Sequence, residues 1–379
     1  MKRSAKRLAV ALLIVCVYIF ALPDPIGNEL TLTALWATTP ERASVVPPES
    51  AGTPSLMSID VGPVFVYIDE TGRVTYRGRP AFRVAMSGRG FINYGQGVEQ
   101  LVAQNTRGGF VASLPVSGYP SFVGDRLFVV SEAGGAISEW TMEGDELWRS
   151  DLPAPLLSMA ASEEHAVLGL AAGGPVLLAR DGSPIELQRP SMPVEPVVYA
   201  VELSESPNRL AVVTGAPRSE NQIDDGDAAV GATLTLYEFD SGRGVPVVRR
   251  RMARDTRTEP LVRLVDEGAV LRYSDVRDGP VLVSLDIESG DESVVPVSFP
   301  PVDVIELGVP GMQAILSVSN RRDPSRGFST PAELAISTSQ SIVPVRASWA
   351  SDSAAIAQFG PITAVRVDDR VLALAVGAE

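Results

Sequence analysis

The residue types that carry covalent or acid–base chemistry are scarce in this chain, and their scarcity decides much. His165 is the single histidine among 379 residues, Cys16 the single cysteine, and Lys2 and Lys6 the only lysines. One histidine cannot supply the pair of imidazole ligands that most zinc and iron sites use. With no lysine past residue 6, Schiff-base, P-loop and Ser-Lys chemistry lack their amine. Cys16 lies within an apolar run, so neither an intrachain disulfide nor a thiolate metal cluster can form. A Ser-His-Asp triad would have to use His165, which follows Glu163-Glu164 at the start of an apolar run and reads as a strand-end histidine beside two acids. Glycosidase chemistry needs only two carboxylates, and no spacing among the 46 acidic residues nominates a pair. The sequence therefore offers no catalytic residue, no cofactor-binding residue and no metal ligand.

Recognition is better represented than catalysis. Two segments stand above a repetitive background, 215–231 (GAPRSENQIDDGDAAVG) and 319–330 (SNRRDPSRGFST). The first carries Asp224, Asp225 and Asp227, the second Arg321, Arg322 and Arg326. Between them lies an arginine-rich stretch with Arg249, Arg250, Arg251, Arg254 and Arg257. The three aspartates lack the ligand pattern of an EF-hand and are not assigned a calcium ion. The formal net charge is −14, and beyond residue 7 there are 28 arginines against 46 acids, for −18. Nucleic acid is a poor partner for such a surface.

The elements that position these residues are strands. Apolar runs suited to buried strands begin at Gly90 (GFINY), Arg126 (RLFVV), His165 (HAVLGL), Arg209 (RLAVV), Ala269 (AVLRY), Met312 (MQAILSV) and Arg370 (RVLALAV). Each of the first six is followed by a partner strand, at 98–104, 135–141, 175–180, 232–239, 280–287 and 332–337. The seventh has none after it, whereas 63–69 and 73–77 form an orphan pair near the other end. If that pair supplies the outer strands of the last blade, the sheet closes into a ring with no unpaired edge. The expectation is an all-β, seven-bladed β-propeller over 61–379, closed by N-terminal outer strands pairing with C-terminal inner strands. The three charged segments then share the face that carries second-to-third strand connections and links between blades, and they form the candidate partner-binding surface.

The best-formed unit is 119–153, with a strand at 127–130, a Gly134-Gly135 turn, a return strand, a Glu143-Gly144-Asp145 turn and Trp148. Residues 126–149 resemble the repeat of quinoprotein-type β-propellers, and 64–76 and 176–185 resemble its strand-turn-strand part without the tryptophan. The weaker repetition over 61–379 is equally similar to other bacterial propellers of the WD40-like kind. The resemblance implies a toroidal binding platform, with Trp148 packing between neighbouring sheets. Exported relatives include the propeller subunit of the outer-membrane barrel assembly machinery. Other relatives are quinone-dependent dehydrogenases, but those place calcium and an adjacent cysteine pair against the cofactor, and no cysteine follows Cys16. No cofactor residue carries over.

Ahead of the repeats, basic residues 1–7 precede the fifteen-residue apolar run 8–22 (LAVALLIVCVYIFAL), an export signal that is either cleaved or kept as a membrane anchor helix. Val15 before Cys16 departs from the lipoprotein pattern. Residues 23–60 hold six prolines and read as an extended tether, with Trp36 as a latch onto the domain. Both fates of residues 1–22 place the remainder outside the cytoplasm, in the periplasm or on the outer face of the inner membrane. The functional expectation is a non-enzymatic scaffold that binds envelope proteins. The alternatives are a carboxylate-dependent glycan hydrolase or lyase, and a small-ligand sensor, on the same fold.

Overall fold

The computed structural model describes residues 30–46, 56–60, 63–188, 196–205, 208–216, 230–240, 242–254, 259–265, 268–306, 312–318, 330–338, 347–351, 354–359, 362–367 and 370–378. Residues 1–29 lie outside that set, and with them the expected signal or anchor at 1–22. Every element among the described residues is a strand, and no helix there is long and apolar enough to cross a membrane.

The strands form antiparallel meanders, which we number as units I to VIII: 56–78, 83–114, 119–151, 156–187, 197–254, 262–296, 301–351, and 354–378 together with Leu30–Thr38. Unit I has three strands and the others four. Units IV and V count as one eight-stranded sheet, because the outer strand Pro184–Leu187 of unit IV pairs in parallel with Arg243–Arg254 of unit V, at Glu186↔Arg243 and Leu187↔Gly244. That junction is short, and each half keeps its own four-strand meander.

The first strands of successive units lie side by side, from Leu56–Asp60 through Arg83–Met86, Tyr119–Val123 and Leu156–Ala161 to Val197–Glu205 and Val262–Val265, and again from Pro301–Glu306 to Ala354–Phe359. Arg263 joins the first strands of units VI and VII through Asp303. Unit VIII returns to unit I through a cluster of Val66, Ile68, Ala364 and Val371, and through Arg366 donating to the Asp60 carbonyl. The sheets are therefore arranged as a propeller whose first strands line the axis.

Each second strand is buried on both faces, which is why its sequence reads as an unbroken apolar run. In unit III, Leu127 and Val129 pack towards unit II, and Phe128 and Val130 towards unit IV. Full burial of a side chain such as Phe128 stabilises by roughly 1.5–3 kcal/mol.

Two expectations from the sequence are corrected here. Residues 63–79 do not complete the C-terminal blade; Phe65–Asp69 and Val74–Gly78 form their own sheet with Leu56–Asp60. The closing strand is Leu30–Thr38, which pairs antiparallel with Arg370–Ala378 from Leu30↔Ala378 to Thr38↔Val371. Closure does join the N-terminal segment to C-terminal strands, but through residues expected to be tether, and the strands do not fall into seven equal blades. The cause is the proline and threonine content of 23–60, which hides two strands.

Trp36 and Trp148 explain how outer strands lock onto the next unit. Trp36 lies over the turn at Gly72 and donates from Nε1 to the Glu70 carbonyl at 3.1 Å. Trp148 lies over the turn at Gly182. Both glycines have positive φ, +83° and +81°, and a β-carbon on either would stand 2.5–2.6 Å from an indole carbon. Glycine is required twice over, by dihedral and by space.

Candidate binding face

The strand directions fix which loops share a face. A chain that meanders from the inner to the outer strand brings its second-to-third connections to the same end as its links between units. The segments 217–229 and 319–329, expected on that end, lie outside the described residues. Asp224, Asp225, Asp227, Arg321, Arg322 and Arg326 lie outside the described residues, as does Arg257.

The arginines at 249–251 are not on a link, as the sequence suggested. They belong to the twelve-residue outer strand Arg243–Arg254, in register with Thr235, Leu234 and Thr233, and Arg254 pairs with Val230. The strand continues because Val230–Phe239 is itself long and keeps offering partners. Arg249, Arg250 and Arg251 are exposed along the perimeter of unit V. The structure thus groups these three as one strand segment.

A different part of the link face exposes large apolar side chains. Phe82, Tyr119 and Leu157 are 45%, 44% and 47% exposed, and each stands where a link turns into a first strand, in units II, III and IV. Phe82 is held by an edge contact to Tyr94, with centroids 6.5 Å apart, and Arg83 lies 5.6 Å over its ring. Beside this arc a cleft of about 290 Å³ opens between units II and III. Its wall is a row across unit III, Val129, Ser138 and Arg149, which are consecutive cross-strand partners. Glu99 faces them from the second-to-third connection of unit II, and Val116 closes the link side. Strand alternation explains the split: Trp148 turns to unit IV, so Arg149 turns to unit II.

A second group occupies the inner wall. Arg263 donates to Glu202 Oε2 at 3.3 Å and to Asp303 Oδ1 at 3.2 Å. One guanidinium reaches the first strands of both neighbouring units only where the sheets converge. Burial pushes Glu202 up to about 7, the Arg263 charge opposing this and the Asp303 charge adding to it. Burial also raises Asp303, against Arg263 and the Val304 amide. Desolvation outweighs the shared cation, so the pair holds a proton near neutrality.

Two further charge networks are inter-unit staples. Arg126, 9% exposed, pairs with Glu139, 1% exposed, at 2.6 Å and donates to the Ser162 and His165 carbonyls of unit IV. Glu139 also accepts from Trp148 Nε1 at 2.7 Å and from Arg180. Burial acts to raise this carboxyl, but hydrogen bonding and charge from Arg126, then Arg180, hold it below the usual glutamate range. Arg209 repeats the arrangement with Glu238 and the Gly268 carbonyl. His165 occupies the corresponding strand start in unit IV, its ring edge-on to Phe239 at 4.9 Å. No group of three or more metal-ligating side chains forms among the described residues.

Sequence reading missed the cleft and the inner-wall group. Each is assembled from single residues of neighbouring units, and the only sequence signal is alternation: Arg149 follows Trp148 and must face the other way.

A sequence profile for a family described as beta-propeller protein matches residues 1–221. An uncharacterised protein from Treponema pallidum (strain Nichols) is 26% identical over 210 residues, covering 53% of this chain. The chain spans 55% of that relative's length. Among solved structures, BamB from Moraxella catarrhalis superposes with a TM-score of 0.57 at 12% identity, over 91% of this chain and 100% of that one. The computationally designed Ika8 protein gives 0.55 at 11% identity, over 85% and 96%. At these identities the likeness concerns the fold alone.

Proposed function

The chain belongs to the beta-propeller protein family, and from that premise we propose that it is a non-enzymatic scaffold, exported to the cell envelope, that binds other proteins through its link face. The ring is read as eight blade-like units of quinoprotein-type repeat, a reading supported by the two tryptophan-over-glycine contacts. The observation that carries the function is the apolar arc of Phe82, Tyr119 and Leu157, three exposed side chains of successive units on one rim. Large apolar side chains exposed at the strand starts of successive units suit an interaction surface.

The test is capture from a solubilised envelope fraction with the wild-type chain and with a Phe82→Glu/Tyr119→Glu variant. Recovery of a defined partner is expected to fall at least about tenfold, the equivalent of ~1.4 kcal/mol, with unchanged thermal unfolding. Undiminished recovery contradicts the reading.

A second reading is favoured by one observation, the elevated Glu202 facing Asp303 across Arg263 on the inner wall. A carboxyl that titrates near neutrality suits a general acid in glycan cleavage. Turnover of an envelope polysaccharide that disappears in Glu202→Gln would establish it in place of the scaffold.

A further inference from the structure

The cleft between units II and III is chemically lopsided. On its unit III wall, Ser131 Oγ accepts from the Ala136 amide at 3.1 Å, and Ser138 Oγ accepts from Trp140 Nε1 at 2.8 Å. Both oxygens are thereby engaged as acceptors, which leaves their hydroxyl protons to donate. Arg149, directly across from Ser138 in register, makes no ion pair among the described residues. The unit III wall therefore offers an arginine and two hydroxyl donors and no carboxylate. Glu99, likewise unpaired among the described residues, supplies a carboxylate on the opposite side, and Val116 and Val129 give the floor an apolar part.

We propose that this cleft binds a small zwitterion of the α-amino acid type, with its carboxylate on Arg149, Ser138 and Ser131 and its ammonium on Glu99. The volume of about 290 Å³ lies at the small end of ligand sites, which run from roughly 300 to 1,000 Å³, and suits one amino acid or a dipeptide. A plain anion would leave Glu99 facing like charge, and a plain cation would face Arg149. Only a molecule carrying both charges satisfies both walls. The side chain of the ligand would lie against Val116 and Val129, so apolar amino acids are favoured over acidic ones.

Calorimetric titration of the full chain with glycine, alanine, leucine and glutamate tests this, alongside acetate and ethylammonium as half-ligands. Leucine or alanine is expected to bind, and to raise the unfolding temperature, while both half-ligands bind at least about tenfold more weakly. Arg149→Gln is expected to weaken amino-acid binding at least about tenfold, in line with the loss of a charge-assisted contact. Glu99→Gln should weaken alanine binding but leave N-acetylalanine, which lacks the ammonium, unaffected. Arg149 and Glu99 are exposed, so both variants fold, which their unfolding temperature without ligand verifies. The proposal is overturned if no amino acid binds at millimolar concentration, or if neither variant alters the affinity. Because the titration uses the isolated protein, its failure leaves partner capture at the apolar arc untouched.

Discussion

Glu139 shows what a single buried carboxylate does in this fold. It joins Arg126, Arg180 and Trp148 from two units, and Arg126 passes the connection on to carbonyls of unit IV. Removing one partner of a buried pair leaves the other charge stranded, a loss of about 3–5 kcal/mol. Glu139→Ala should therefore lower stability in urea by that order, while Arg180→Ala, at a 44% exposed side chain, should cost under about 1 kcal/mol. Glu139 and Glu202 also bias the pH dependence in opposite directions. Folded Glu139 holds its proton less tightly than the unfolded chain, so its contribution is lost as pH falls through the carboxylate range. Folded Glu202 holds its proton up to about 7, so the native state binds more protons there and stability declines as pH rises from about 4.5 through 7. Glu202→Gln should flatten the unfolding temperature across that window. An unchanged profile would mean that Glu202 is ionised throughout. Neither role was legible in the sequence, because the partners are 9 to 101 positions away and share no motif. What was legible at this scale was absence: one histidine, one cysteine and no lysine past residue 6.

Strands were legible in proportion to their burial. Six of the seven apolar runs are second strands, such as Arg126–Val130 and Met312–Val318, and their predicted partners are all present as third strands. The seventh, Arg370–Ala378, is the third strand of its unit. Outside 119–153, where the outer strand at 146–149 was legible, most first and fourth strands were not distinguished from connections, because only one face of each is packed and their sequences carry no continuous apolar run. Leu30–Thr38 was lost among prolines, although Leu35-Trp36 repeats Leu147-Trp148. The tryptophan-over-glycine contact gives a comparison between glycines. Gly182→Ala and Gly134→Ala both place a side chain at positive φ, a cost of roughly 1–2 kcal/mol. Only Gly182→Ala also meets Trp148, whereas Gly134 faces open space. Gly182→Ala should therefore lower the unfolding temperature clearly more than Gly134→Ala, and equal shifts would deny Trp148 its locking role. Trp36→Ala should act in the same way at the ring closure, with a loss on the order of 2 kcal/mol.

For the whole molecule, the sequence foretold a toroid and misjudged how it divides and where it shuts. The divide depends on Leu56–Asp60, which turns an orphan pair into a sheet of its own, and the closure on Leu30–Thr38. The described residues also shift attention away from the arginine-rich stretch, which is an outer strand and not a link. The exposed arc of Phe82, Tyr119 and Leu157 stands on units II to IV, away from the arginines first singled out on unit V. A photo-crosslinking residue at Tyr119, compared with one at Val294 on the outer strand of unit VI, measures directly whether this rim meets a partner in intact cells. The account predicts a discrete protein adduct from position 119 and none from 294. No adduct at 119, or the same adduct from both positions, would contradict it.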